Sequence, residues 1–268
     1  MPLVEVTNLS KVYGNGRGRL EAIRDLTLTM DEGEFVAVVG PSGCGKSTFL
    51  HILGGFIAPS AGTMRVAGRA VCGPGPDRGV MFQDLALFPW RTVLGNTVWG
   101  LEVQGYPRAE REAIAERYLS LVGLLPFKHA YPGELSGGMK QRVALARVLA
   151  FDPAVLLMDE PFGALDAQTR ELLQEEVQRI CFETGKTVLF VTHDIEEAVY
   201  LADRVVVFSA RPGRLKATVP IALQRPRQIE VKKSPEFMAY RNQLWDLLRE
   251  EVLKARQEME AGQGTAHG

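Results

Sequence analysis

Apolar residues along this chain follow distinct rhythms. Leu3-Val4-Glu5-Val6 and Leu26-Thr27-Leu28-Thr29-Met30 alternate apolar with polar positions, the period of a strand with one face in a core and the other in water. A glycine-rich stretch from Gly14 to Gly18 separates them, so the chain is expected to open with a small antiparallel β-lobe. Phe35 to Val39, Val155 to Met158, Val188 to Val191 and Val205 to Phe208 are apolar at every position instead. That pattern marks parallel strands covered on both faces and predicts the central sheet.

A helical rhythm occupies the region from about Phe88 to Ala150, where Ile114, Tyr118, Leu121 and Val122 recur at helical spacing. This block, about 88–150, is expected to form an inserted α-helical subdomain within a core spanning 1–230. Further on, Ser234 supplies an N-cap and Pro235 a first helical residue, and Phe237, Tyr240, Leu244, Leu247 and Leu248 mark one face. A helical extension over 231–261 and a disordered tail over 262–268 are expected. The fold class is therefore α/β, with a mostly parallel sheet, an N-terminal antiparallel β-subdomain and the helical insertion. No internal repeat or heptad run interrupts this pattern.

Composition narrows the partners. With 31 basic and 32 acidic residues, the 268-residue chain lacks the basic excess of a nucleic-acid binder, and no nucleic acid is expected as a partner. Apolar runs such as Ala154 to Met158 are far too short to span a bilayer, so any membrane role must come through partners. The opening residues show no secretory signal, and Cys44, Cys72 and Cys181 show neither metal-ligand nor disulfide-framework spacing. A cytosolic, reducing location is expected.

Gly40-Pro41-Ser42-Gly43-Cys44-Gly45-Lys46-Ser47 follows the buried strand ending at Val39 and opens a helix towards Leu53, the context that a G-x-x-x-x-G-K-[ST] phosphate loop requires. Its glycines let backbone N–H groups curl around phosphate oxygens, and the helix terminus adds positive potential. Lys46 is placed to reach the β- and γ-phosphates, and the Ser47 hydroxyl to ligate Mg²⁺. The bland reading, a plain glycine-rich loop, does not account for this context. Cys44, among backbone donors at a helix N-terminus, is expected to be thiolate-prone and covered by nucleotide.

The strand Val155 to Met158 runs into Asp159-Glu160-Pro161, carboxylates at the sheet edge where open α/β sheets bind ligands. Asp159 is expected to hold Mg²⁺ through water, and Glu160 to polarise a water for attack on the γ-phosphate. Alone these would read as a solvated acidic turn; beside a phosphate loop they read as catalytic. His193 leaves another buried strand at the same edge, before Asp194 and Glu197 in capping-box spacing.

Leu135-Ser136-Gly137-Gly138-Met139-Lys140-Gln141-Arg142 provides a second anion-seeking helix terminus, capped by Ser136. Two such termini in one chain make sense if the second closes over nucleotide held by another subunit, which predicts a head-to-tail dimer.

These residues resemble the ATP-binding subunits of ABC transporters. Leu135 to Arg142 is similar to their signature sequence, and Gly40 to Thr48 and Val155 to Glu160 to their Walker A and B segments. The resemblance implies ATP and Mg²⁺ as ligands, with Gly40, Pro41, Ser42, Gly43, Cys44, Gly45, Lys46, Ser47 and Thr48 around the phosphates. It further implies that Tyr13 stacks on adenine, that Gln83 sits near Mg²⁺ and the attacking water, and that Asp166 is the D-loop aspartate. His193 would contact the γ-phosphate, and Ser136, Gly137 and Gly138 the partner's nucleotide. Read without the family, Gln83 and Asp166 are ordinary polar loop residues and Tyr13 an ordinary β-lobe tyrosine.

Leu87-Phe88-Pro89-Trp90-Arg91-Thr92-Val93-Leu94 is rich in large apolar side chains for a loop. In the family such a surface receives the coupling helix of a membrane subunit; internal packing of Phe88 and Trp90 is the competing reading. Together with Phe208 to Arg214, this segment resembles the importer ATPases for nitrate, sulfonate, taurine and bicarbonate. That implies a permease partner, indirectly a solute-binding protein, and a place on the cytoplasmic face of the membrane. The rival readings are a soluble ABC-type ATPase without a transport role and a P-loop kinase. The second leaves Leu135 to Arg142 and His193 without work.

Overall fold

In the computed structural model, residues 2–14, 18–163 and 165–264 are described, the side chains through 254. The chain opens with strands β1 (Val4–Gly14) and β2 (Arg19–Met30), paired antiparallel with Val4 opposite Met30. Strands β4 (Ala61–Val66) and β5 (Arg69–Ala70) complete a four-stranded sheet of order β2-β1-β4-β5. The alternation seen in the sequence is realised: Val4, Val6, Leu28 and Met30 are buried while Glu5 and Thr29 are not.

The second sheet contains β3 (Phe35–Val39), β6 (Arg78–Met81), β7 (Val155–Asp159), β8 (Thr187–Val191), β9 (Arg204–Phe208) and β10 (Leu215–Pro220). Its order is β10-β9-β3-β8-β7-β6, parallel throughout except for the antiparallel edge strand β10. Both faces are covered, as the unbroken apolar runs require. Val36 and Val38 point into a core shared with β1, β2 and helix α1 (Lys46–Leu53). Phe35, Ala37 and Val39 point into the opposite core, with helices α5 (Ala167–Glu183) and α6 (Ile195–Leu201).

The inserted lobe is built from α2 (Val93–Val103), α3 (Arg108–Leu121) and α4 (Gly137–Ala150). The α3 stripe closes on the core through Ala115, Tyr118, Leu119 and Val122, so the buried face is rotated slightly from the one the sequence marked. Helix α7 (Pro235–Gly264) starts where Ser234 and Pro235 predict, the Ser234 hydroxyl accepting from the Phe237 amide at 3.1 Å. Phe237 and Leu244 are fully buried. The helix continues through Gly264, into the segment expected as a disordered tail, and residues 265–268 of that segment lie outside the described residues. No helix among the described residues is long and apolar enough to cross a membrane.

Candidate nucleotide site

The strands that matter for chemistry are neighbours. β3, β8 and β7 lie side by side, so the loop after β3, His193 after β8 and Asp159-Glu160 at the end of β7 meet along one sheet edge. The loop after β3 turns into α1 at Gly45, whose φ of 103° lies in the left-handed region. A Cβ there would sit 2.7 Å from the Ala22 carbonyl oxygen, so this position admits glycine alone. Lys46 is buried and folded across the loop, its Nζ donating to the carbonyls of Gly40 at 2.8 Å and Pro41 at 3.1 Å. The Ser47 hydroxyl donates to Asp159 Oδ1 at 3.1 Å. Burial pushes the Asp159 carboxyl above its ordinary range, and the Ser47 hydrogen bond opposes that shift only partly.

This pair fits a small, hard cation. A buried carboxylate beside a hydroxyl offers oxygen donors, and among the described residues no cluster of His, Cys, Asp and Glu forms an all-protein metal cage. Mg²⁺ in phosphate sites is held in that way, by few protein oxygens plus phosphate and water.

Glu160 has φ 45°, a left-handed conformation that costs a non-glycine residue on the order of 1 kcal/mol. Its amide donates to the Val191 carbonyl at 2.9 Å, fixing the turn to β8. Its carboxylate lies 3.0 Å from His193 Nδ1. His193 is held by the start of α6, where Asp194 Oδ1 accepts from the Glu196 amide at 2.8 Å and the Glu197 amide at 3.2 Å. The reciprocal half of the expected capping box does not form. Glu197 is buried and accepts instead from Thr192 Oγ1 at 2.7 Å and Gln174 Nε2 at 3.1 Å.

A cleft of about 310 Å³ runs from the β-lobe to this edge, lined by Tyr13, Ser42, Gly43, Gly45, Lys46, Ser47, Thr48, Glu160 and Arg211 among others. Tyr13 is partly exposed, with Lys11 Nζ 5.0 Å from its ring centre. Gly40 and Pro41 line a neighbouring cavity with His193 and α7. Cys44 departs from expectation: its side chain is buried, and desolvation raises the thiol's pKa more than the nearby Lys46 charge lowers it. The helix terminus therefore does not make it a thiolate site.

Several expected residues lie outside this cleft. Ser136 caps α4, its hydroxyl accepting from the Met139 amide at 3.3 Å, and it is exposed. Gly138 lies so close to Thr169 that a Cβ would sit 2.8 Å from the threonine methyl. Asp166 caps α5 by accepting from the Thr169 amide at 3.0 Å, a bond that holds its carboxyl below the usual range. Gln83 is exposed beyond β6, near Gly163.

Two residues without a sequence signal hold these pieces together. Arg147 of α4 donates to the carbonyls of Leu85 at 2.6 Å and Ala86 at 2.7 Å, tying the signature helix to the segment after Gln83. Gln141 Nε2, also on α4, donates to the Pro161 carbonyl behind Glu160. Both sit among apolar neighbours in α4, where periodicity marks packing but does not mark a polar tether. Beside Arg147, Phe88 is half-buried and packs at a tilt against Trp99 at 5.1 Å and Trp90 at 5.6 Å between ring centres, and Trp90 is 72% exposed.

A phosphate loop after β3, carboxylates at the end of β7 on the same sheet edge and an inserted helical lobe make up a P-loop cassette. The sequence profile of the family described as ABC transporter matches residues 23–163. An uncharacterized ABC transporter ATP-binding protein of Methanocaldococcus jannaschii is 52% identical over 94% of this chain and 93% of its own. The nitrate import ATP-binding protein of a Synechocystis species is 47% identical over 92% and 95%. The taurine import ATP-binding protein of Roseobacter denitrificans is 43% identical over 95% and 98%. A solved ATP-binding cassette, dimeric in a post-hydrolysis state with ADP and Pi, superposes with TM-score 0.72 at 32% identity, covering 82% of this chain and 100% of that one. The chain belongs to the ABC transporter ATP-binding family, and it is an ATPase.

Proposed function

We propose that this chain is the ATP-hydrolysing subunit of an ABC importer for a small anion of the nitrate, sulfonate, taurine or bicarbonate kind. It works as a pair, either with a second copy or with a paralogue, on the cytoplasmic face of the membrane. Permease subunits anchor it there and a solute-binding protein delivers the cargo. The observation that carries this reading is the division of anion-binding apparatus: the cleft from Tyr13 to Glu160 contains no residue of the Ser136 helix terminus. An exposed terminus of that kind suits an anion held by another subunit. The likeness to nitrate and taurine import proteins supports the cargo class. The aromatic platform around Phe88 offers a permease a hydrophobic seat.

In this reading Lys46 releases the Gly40 and Pro41 carbonyls and turns its ammonium to the β- and γ-phosphates. Tyr13 stacks on the adenine. Ser47, Gln83 and Asp159 would hold Mg²⁺, which when bound neutralises charge developing on the phosphate oxygens. Glu160 accepts a hydrogen bond from the attacking water and orients it, and His193 contacts the γ-phosphate. Asp166, the α5 cap, would act as the D-loop aspartate toward the partner's site.

Sedimentation tests the pairing: the Glu160→Gln chain with saturating ATP is expected to dimerise, and persistent monomer even with permease present would sink it. Reconstitution with a permease of the family tests the transport role. ATP turnover is expected to rise when a solute-binding protein presents its anion. Turnover indifferent to both partners would favour a soluble ATPase.

A further inference from the structure

We propose that Arg211 is a nucleotide-binding residue, taking the phosphate chain across Gly43, and that Glu251 on α7 holds it in place. The proposal deepens the ATP-site reading and rests on it.

The turn between β9 and β10 folds back onto the phosphate loop. Gly213 donates to the Ala22 carbonyl at 2.9 Å and accepts from the Arg24 amide at 3.0 Å, which docks the turn on β2. A Cβ at Gly213 would lie 2.1 Å from the Cys44 carbonyl oxygen, so the turn is pressed directly against the loop. From this turn Arg211 reaches over Gly43, donating from Nε to its carbonyl at 3.1 Å. The guanidinium packs so closely on the loop that a Cβ at Gly43 would meet Nη2 at 2.8 Å.

Holding a loop carbonyl uses one of the five donors of a guanidinium. Among the described residues Nη1 and Nη2 have no hydrogen-bond partner and no carboxylate pairs with Arg211. The side chain also lines the nucleotide cleft with Tyr13, Lys46 and Thr48. A planar cationic fork at the wall of a phosphate cleft, with donors to spare, matches the oxygens of a polyphosphate.

The brace lies one residue earlier. The Ala210 amide donates to Glu251 Oε2 at 2.8 Å, and Glu251 is buried. Its carboxylate also pairs with Lys216 at 3.0 Å and Lys254 at 3.1 Å. A carboxylate is costly to bury without such partners, and here its backbone contact fixes the residue next to Arg211. Glu251 is a positioning residue, and through it the C-terminal helix is joined to the nucleotide site.

Equilibrium titration of the full chain tests this. Arg211→Gln is expected to weaken ATP binding roughly 10- to 100-fold, the effect of losing a charge-assisted hydrogen bond. The 2′-deoxy nucleotide should weaken by the same factor. An unchanged ATP affinity would overturn the proposal, and a loss seen with ATP but not with 2′-deoxy-ATP would move the contact to the ribose. Arg211→Lys separates recognition from loop bracing: it should bind ATP more tightly than Arg211→Gln, and equal losses in both count against phosphate contact. Glu251→Gln should weaken ATP binding in the same direction but less, and no change would show that α7 does not position Arg211. Lys46→Ala is the control, because binding that survives it would mean that the nucleotide site itself is misplaced.

Discussion

His193 Nδ1 lies 3.0 Å from Glu160 Oε2, so the candidate base and the candidate phosphate contact hold each other across adjacent strands. With Glu160 ionised, the proton of that bond resides on Nδ1, which leaves Nε2 for a second partner. The bond also limits the reach of each side chain, because β7 and β8 fix their backbones in register at Asp159 and Val191. Glu160 lines the cleft, whereas His193 lines the neighbouring cavities, so the bond joins the cleft to its flank.

This relationship sets an expected outcome for Glu160→Gln. The amide keeps the shape and the hydrogen bond to His193 but is a far weaker proton acceptor, so ATP turnover should fall by roughly 10²- to 10⁴-fold. ATP affinity should stay within about threefold, because binding rests on the loop and not on the base. Steady-state turnover and equilibrium binding of the same preparation check the pair of values. Near-normal turnover would remove Glu160 from the role of base.

Cysteine labelling reads the loop in a different way. Cys44 and Cys181 are buried, Cys72 is exposed, and burial pushes both buried thiols up, Cys181 to about 12. At neutral pH their thiolate fractions therefore lie below that of a free cysteine, and alkylation should fall on Cys72 first by a wide margin. Raising the pH towards 9 should leave Cys181 protected, since Cys181 stays protonated there. Peptide mapping after a short iodoacetamide pulse gives the rates. Fast labelling of Cys44 without nucleotide would contradict its burial.

Much of this arrangement was legible in the chain because the physics behind it is local. Val155 to Met158 and Val188 to Val191 can be apolar at every position only if both sheet faces are covered, and the glycines of the phosphate loop stand where backbone must bend. The short strand before Gln83, β6, left only a faint mark: Arg78-Gly79-Val80-Met81 has no apolar run, and Arg78 is buried with its guanidinium on Asp77 and the Gly73 carbonyl. The reach of Arg147 to Leu85 crosses 62 residues of sequence, and a contact so distant leaves no periodic mark. Cys44 is not thiolate-prone because the Phe208 side chain and the Gly40 backbone crowd it out of water, a long-range effect that the helix terminus alone does not reveal.

That tether carries a prediction of its own. Arg147 holds the carbonyls of Leu85 and Ala86, and Ala86 has φ 46°, a conformation that alanine adopts only under constraint. Arg147→Ala should free the segment 84–90, raising its amide exchange, and should cost about 1–3 kcal/mol of stability for the lost charge-assisted bonds. ATP affinity should be little altered, because no residue of that segment lines the cleft. Hydrogen exchange of parent and variant compares the two directly. Unchanged exchange over 84–90 would show that the loop holds its shape without the arginine.

The last expectation concerns the aromatic platform, where internal packing and partner docking competed in the sequence. Phe88 is half-buried between Trp99, Arg147 and the Asn96 side chain, whose Oδ1 accepts its amide at 2.8 Å. Trp90 is 72% exposed and touches this group through one tilted ring contact, so the fold makes little use of it. Trp90→Ala should therefore shift the stability of the free subunit by only about 0.5 kcal/mol, the usual size for a surface position. If the platform seats a permease, the same change should weaken assembly by roughly 2 kcal/mol or more, about 30-fold in affinity, as the loss of an aromatic anchor does. Phe88→Ala should behave differently and lower the stability of the free subunit as well, by an amount nearer the 3–5 kcal/mol of a core aromatic. Thermal unfolding of each free variant, set against pull-down of the permease, separates the two residues. A stable Trp90→Ala subunit that still assembles normally would mean that the permease rests on another surface.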